Sequence, residues 1–330
     1  MHNSILFLIL FYLIWPAAGV TQPRQTDART LKEVKVVFYN TGYLFDASND
    51  KTSADDNILP PVWTKERYLK KVFQTGKILT AIDSLNLPPL IGLSGIENAK
   101  VLKQLIKYPG LKRGAYKYIH TEGKDPKGLD PAMLYSTGQF RPTRQQLYVP
   151  DQADYSGKGI LYAEMVHIPT GDTIHVFVNQ WNTRYDADTS VVSRNLEAKT
   201  LKTLTDNIFA ARMNAAILLL GDFNEPPNGK TLTSQLQSNR FAPPLHIKTF
   251  YNFFYKNLDK HEVTYLGVPP RLTDQILVST WLATSRGLRM KTPDGFIFKP
   301  EWLSLKPEIE NLHGVDTQVH LPVYIILGYR

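Results

Sequence analysis

An α/β fold with a mixed sheet covered by helices is what this sequence predicts, and three observations carry it. Short β-rich apolar runs alternate with longer segments of helical spacing. One hairpin interrupts that alternation, which argues for a mixed rather than a purely parallel sheet. Hydrophobic residues make up 43% of the chain and charged ones 21%, so there is enough apolar material for a real core.

In chain order, the first twenty residues are set aside. An apolar run from Ile5 to Ile14 is followed by Trp15-Pro16-Ala17-Ala18-Gly19-Val20. Small residues behind a short hydrophobic stretch suit a cleavable secretory leader, although no Lys or Arg precedes the run. The stretch is shorter than the roughly 20 residues of a bilayer span. A signal peptide over 1–20 is therefore expected, and with it an exported protein, periplasmic or extracellular. No later segment is apolar enough to cross a membrane.

Val34 to Tyr39 reads as a strand leading into Asn40, and Asp46 to Pro61 as a long polar loop. A helix is expected from Thr64 to Leu85, with Tyr68, Val72, Leu79 and Ile82 near helical spacing. Leu90 to Leu93 reads as a buried strand, Asn98 to Lys107 as a helix and Asp130 to Tyr135 as a strand. Gly159 to Ile168 and Thr173 to Val178 flank Pro169-Thr170-Gly171-Asp172, which is hairpin turn chemistry. A second long helix follows from Asp188 to Ala211, and then the most apolar short strand, Ala215 to Leu220. Gln275 to Ser279 and Val323 to Leu327 complete the strands. Without repeats or low-complexity linkers, a single domain over 30–330 is expected.

Cysteine is absent, which excludes disulfides, thiol catalysis and Cys-ligated zinc. A chain of this length buries enough surface to do without such staples. The net charge of +8 is compatible with phosphate-rich partners, but it is scattered rather than gathered in one basic block. Tyr251, Phe253, Phe254 and Tyr255 beside Lys256 have the residue types that stack on bases, although an apolar run of this kind is more often core.

The local signal for chemistry is Gly221-Asp222-Phe223-Asn224 directly after the buried strand, since α/β proteins build sites at the carboxyl ends of core strands. The same four residues also suit a turn. Other segments join them in order: Phe38-Tyr39-Asn40, Gly92-Leu93 through Glu97-Asn98, Lys127-Gly128-Leu129-Asp130 with Leu134-Tyr135, Asn179-Gln180-Trp181 through Arg184, Asp274-Gln275, and His320-Leu321-Pro322-Val323. This ordered set, from about Val34 to the C-terminus, resembles the endonuclease/exonuclease/phosphatase superfamily. Trp63 with Arg67-Tyr68, and Asp46 after Leu44-Phe45, resemble its bacterial exported branch.

The resemblance implies a four-layer α/β/β/α sandwich of two mixed sheets flanked by helices. It implies hydrolysis of phosphate esters by in-line attack of water, assisted by Mg²⁺ or Mn²⁺. The substrate is a nucleic acid, lipid headgroup or inositol phosphate according to branch. His320 matches the catalytic His and Asp274 the carboxylate that holds it, so that one ring nitrogen is anchored and the other presented. Asp222 matches the residue that activates water, and Asn224 its neighbour at the phosphate. Asn40, Asp130, Asn179 and Arg184 match polar, substrate-binding cleft positions.

The metal side departs from the pattern. The acid two residues after Asn40 is Gly42, the principal metal-binding Glu falls at Gly95, and the acid before the catalytic His falls at Val319. A cleft His before Trp181 is Gln180. Mg²⁺ is a hard ion held by oxygen, and glycine and valine offer no side-chain oxygen. Glu97 would share a face with Gly95 in an extended segment, and Asp316 and Glu225 are the other acids near the cleft. The expected metal ligands are therefore unknown. Three readings follow: a cleft that binds phosphate esters with hydrolysis attenuated or lost, an active Mg/Mn-dependent phosphodiesterase or endonuclease with a rearranged metal site, or a non-catalytic interaction module.

Overall fold

A computed structural model describes residues 31–48, 63–152, 155–181, 189–303 and 320–330. The expected leader over 1–20, most of the loop at 46–61, and Arg184, Asp316 and Val319 lie outside the described residues.

The chain runs from β1 (Lys32–Leu44) through α1 (Lys65–Ile82) to β2 (Leu90–Ile96), then α2 (Ala99–Leu105), β3 (Tyr116–His120) and β4 (Asp130–Ser136). A meander of β5 (Phe140–Tyr148), β6 (Ile160–His167) and β7 (Asp172–Gln180) leads by α3 (Thr189–Ala211) to β8 (Ala216–Asp222). The short β9 (Ser238–Arg240) and β10 (Phe250–Asn252) precede α4 (Tyr255–Asp259), β11 (Asp274–Ser279) and α5 (Thr280–Thr284). Two-residue strands β12 (Arg289–Met290) and β13 (Phe296–Ile297) precede β14 (Val323–Tyr329).

These strands form two seven-stranded sheets. The first runs β12-β14-β1-β2-β4-β3, with β13 also on β14, and the second runs β5-β6-β7-β8-β11-β10-β9. Both are mixed: β1/β2 and β7/β8 are parallel pairs inside otherwise largely antiparallel ladders. These two pairs are each joined through a long helix, as a crossover requires, whereas the short parallel pair β9/β10 is joined by the segment 241–249.

Alternation within the apolar runs sorts side chains into three apolar layers. Val34, Val36 and Phe38 of β1 pack with Val176, Val178, Leu218 and Leu220 between the sheets. Val37, Ile91, Leu93 and Leu134 turn the other way, onto Tyr68, Val72, Leu79 and Leu102 of α1 and α2. Ile217, Leu219 and Phe177 face outward from the second sheet onto Ala198, Leu201 and Phe209 of α3. Central strands covered on both faces read as continuous apolar runs for this reason. The result is the helix, sheet, sheet, helix sandwich. At Gly92 the sheets approach so closely that a Cβ would lie 2.9 Å from Leu220 Cδ1.

Tyr251, Phe253 and Phe254 lie in the core between the sheets, so they offer no stacking platform. No helix among the described residues is long and apolar enough to cross a membrane.

Candidate functional site

The site lies along one edge shared by both sheets. The carboxyl ends of β1, β2, β7 and β8 reach it, as do the amino ends of β4, β11 and β14. The pairings Ile96↔Asp130, Gln180↔Asp222, Asp274↔Asp222 and Phe38↔Val323 fix this arrangement. Asp222 and Asp274 thus face each other across an antiparallel pair, and His320 stands three residues before β14. A loop ties the pieces together. Thr264 Oγ1 accepts the N–H groups of Thr273 and Asp274, both at 3.0 Å, and Thr264 O accepts from Leu321 N at 2.7 Å. The Tyr265 ring sits 5.1 Å from the His320 ring. Sequence reasoning missed Thr264 and Tyr265, whose only signal is the fold that brings them beside His320.

Five of the expected residues form one buried network. Asp274 Oδ2 lies 2.8 Å from His320 Nδ1, which places the ring proton on Nδ1 and leaves Nε2 to face the cleft. Nε2 is 3.3 Å from Asn40 Nδ2 and 3.9 Å from Asp222 Oδ2. Asn40 Nδ2 donates to Asp222 Oδ2 at 3.0 Å, and Gly42 N donates to Asn40 Oδ1 at 2.9 Å, so the amide cannot flip without losing both bonds. Asn224, in the left-handed region at φ 51°, donates its N–H to Asp222 Oδ1 at 3.1 Å and its Nδ2 to Trp181 O at 2.7 Å.

Burial pushes the Asp222 carboxyl above the usual carboxylate range, and the facing Asp274 pushes it further. For His320, burial alone would lower the imidazolium pKa. The Asp274 charge and hydrogen bond, with Asp222 behind them, outweigh it and hold the group above its ordinary value. A histidine so held can move a proton at Nε2, and Asp222 stands where a water could be oriented.

The described residues around this network do not fit Mg²⁺ or Mn²⁺. Gly42 and Gly95 both take positive φ, 72° and 74°, and a Cβ on Gly95 would lie 1.8 Å from Gly42 O. Two backbones in contact thus occupy the place where the resemblance puts two carboxylates. Thr41 Oγ1 latches them, 2.8 Å from Ser94 O and 3.2 Å from Gly95 O. Glu97 does not replace the missing acid. The pairing of β2 with β4 shifts between Leu93 and Ile96, so the extended geometry expected there is broken, and Glu97 Oε2 accepts the Asp46 N–H at 2.5 Å. Glu225 accepts from Thr231 N and Oγ1, at 3.0 and 2.7 Å, and pairs with Arg194 Nε at 3.4 Å. Asp222, Asp274 and His320 do place one donor atom each within 4.8 Å of one another. Yet both Asp222 oxygens accept N–H groups and Asp274 Oδ2 is held by the imidazole, whereas a hard divalent ion needs about six free oxygens.

Two other expected cleft residues stand apart. Asn179 is fully buried at the end of β7 and donates to Leu220 O at 3.2 Å. Asp130 joins a separate group: Oδ1 accepts from Gly123 N at 3.1 Å and Oδ2 lies 3.8 Å from His120 Nε2. Burial raises the Asp130 carboxyl to about 7. No described hydrogen bond links Asp130 to the His320 network.

Residues 35–321 match the model of the Endonuclease/Exonuclease/phosphatase family. No curated protein matches the chain. Among solved structures, the human Nocturnin catalytic domain with bound sulfate has a TM-score of 0.54 at 12% identity, over 90% of this chain and 95% of that one. TDP2 of D. rerio, complexed with single-strand DNA product, gives 0.55 at 11% over 89% and 98%. A mannosyl-6-phosphatase of Bacteroides thetaiotaomicron gives 0.51 at 14% over 89% and 99%. Such likenesses establish the fold, and the family match spans nearly the whole described domain. The chain belongs to the Endonuclease/Exonuclease/phosphatase family.

Proposed function

We propose that this chain is an exported member of the family whose cleft binds phosphate-ester ligands and whose metal-dependent hydrolysis is attenuated or lost. The observation that carries the reading is the backbone contact of Gly42 with Gly95 where metal-binding carboxylates are expected. Ligand binding is supported by the retained Asn40, Asp222, Asn224, Asp274 and His320 network. Similar structures carrying a sulfate and a DNA product fit the same reading, with nucleic acid among the candidate ligands. The expected leader over 1–20 supports export.

A second reading, an active phosphodiesterase with a rearranged metal site, is favoured by the intact pairing of His320 with Asp274 at 2.8 Å. One experiment separates the two. Purified protein is assayed on supercoiled plasmid and on a generic phosphodiester with Mg²⁺, Mn²⁺, Ca²⁺ or EDTA, beside His320→Ala. Turnover no greater than the variant's, with single-stranded oligonucleotide still bound, is the expected result. Metal-dependent turnover that disappears in His320→Ala would overturn the first reading and establish the second.

A further inference from the structure

A cavity of about 570 Å³ lies on the opposite side of the second sheet from the sheet–sheet core, between strands β5–β7 and the last turns of α3. Its size falls within the roughly 300–1,000 Å³ of small-molecule sites. The strand side is set by alternation: Tyr162 and Glu164 on β6, and Thr173, His175 and Phe177 on β7, project to the same face. The helix side is Leu204, Asn207, Ile208 and Ala211, one stripe at the i, i+3, i+4, i+7 spacing.

Two features distinguish this cavity from an ordinary gap under a helix. The first is a continuous aromatic wall. Tyr162 has Tyr148 at 6.0 Å, His175 stacked at 6.1 Å and 11°, and Phe177 at 4.9 Å. The second is a pair of guanidinium groups, Arg144 and Arg212, at its mouth. Neither has a carboxylate partner among the described residues, and Arg144 makes only a 3.4 Å contact to Gln146 Oε1. Glu164, the one acid lining the cavity, already accepts from Thr143 Oγ1 at 2.6 Å.

Tyr162 Oη and His175 Nδ1 are 2.8 Å apart. Burial holds the imidazole below its ordinary value; Glu164 opposes that and Arg212 reinforces it. The 2.8 Å contact joins the phenol to the imidazole whichever ring nitrogen carries the proton, because the hydroxyl can donate or accept. The negative end of the α3 dipole is partly answered, since the Ile208 and Arg212 carbonyls accept from Arg212 N at 2.8 Å and Ala215 N at 3.1 Å.

We infer that this cavity is a second ligand site, separate from the His320 edge, that takes a nucleoside monophosphate. The base lies on the Tyr148–Tyr162–His175 wall, and the phosphate is held between Arg144 and Arg212. Aromatic faces accept any base without reading its edges, and guanidinium forks match phosphate oxygens.

Isothermal titration with AMP, adenosine and inorganic phosphate tests the site on the full protein, beside Arg144→Ala/Arg212→Ala, Tyr148→Leu and His320→Ala. AMP is expected to bind the wild type at least tenfold more tightly than phosphate or adenosine alone. The double arginine variant should lose at least tenfold and Tyr148→Leu a severalfold share, and both losses should be the same when His320→Ala is added to remove any contribution of the His320 edge. Both arginines are exposed, so folding of the double variant is expected, and a thermal melt checks it. The inference is overturned if AMP does not bind at millimolar concentration or if phosphate binds as tightly as AMP. It is equally overturned if His320→Ala, and not the arginine variant, abolishes binding.

Discussion

Gly95 and Gly42 meet backbone to backbone, each at a φ that a side chain resists. This contact bears on whether replacing the missing acid would bring a metal back. A β-carbon in the left-handed region costs roughly 1–2 kcal/mol, and forcing extra atoms into a packed site costs roughly 1–3 kcal/mol more. Gly95→Glu is therefore expected to lower unfolding stability by about 2–5 kcal/mol in urea denaturation and to gain no Mg²⁺ binding in calorimetry. A variant as stable as the parent that binds Mg²⁺ would show that the contact yields. The same residues show what a sequence displays. Glycine at 42 and 95 reads as missing ligands, but not that the two would close on each other, because that depends on a bulge after Asn40 in β1 and a register shift in β2.

Helix α2 depends on one side chain for its start. Asn98 Oδ1 accepts from Lys100 N at 2.8 Å and Val101 N at 3.1 Å, and Asn98 Nδ2 donates to Asp46 Oδ2 at 3.2 Å. Cap removal costs about 0.5–2 kcal/mol, and the lost contact to buried Asp46 adds to it. Asn98→Ala should thus lower the urea unfolding free energy by about 1–2 kcal/mol, whereas Asn98→Ser keeps a cap oxygen without setting a second carboxylate against Asp46 and should lose less. Equal losses would place the effect elsewhere. This helix start, like the central strands, was legible because local chemistry and apolar pattern agree. The two longest missed strands, β3 and β5, stand at the ends of their sheets' strand orders. In β5 only Phe140 is buried, Arg141 and the residues from Thr143 to Gln146 are exposed, and Pro142 interrupts the run. An edge strand buries too little for alternation to mark it. The site was legible for a different reason. Asn40, Asp222, Asp274 and His320 come from widely separated segments, and only their order along the chain joined them before the fold did. Asp130 matched the same order yet sits with His120, since order does not report which end-of-strand carboxylate turns toward which neighbour.

At the scale of the whole molecule, His167 is a titratable group placed between the two sheets. Its ring lies 5.2 Å from Phe140 in one sheet and 4.8 Å, edge-on, from Tyr329 in the other, and Nδ1 meets Thr170 Oγ1 at 2.9 Å. Burial lowers it from 6.5 to about 4, against a small opposing pull from Asp172. Between those values the unfolded chain binds more protons than the folded one, so stability rises with pH. The contribution is complete above pH 6.5 and is lost as pH falls through about 4. The slope it adds approaches about 1.4 kcal/mol per pH unit inside the window. Asp130, raised to about 7, works the other way: its contribution is present at low pH and lost as pH rises through about 7. His120 and His175, both lowered by burial, act in the same direction as His167. A wild-type profile alone would mix these four groups, and a difference profile isolates one. His167→Phe keeps a ring between Phe140 and Tyr329 while removing the proton site. The wild type should lose stability more steeply than this variant from pH 6.5 to 4, with parallel profiles above pH 7, as read from urea midpoints across the series. Profiles parallel throughout would mean that His167 takes its proton without parting the sheets, and that acid enters this sandwich from another side.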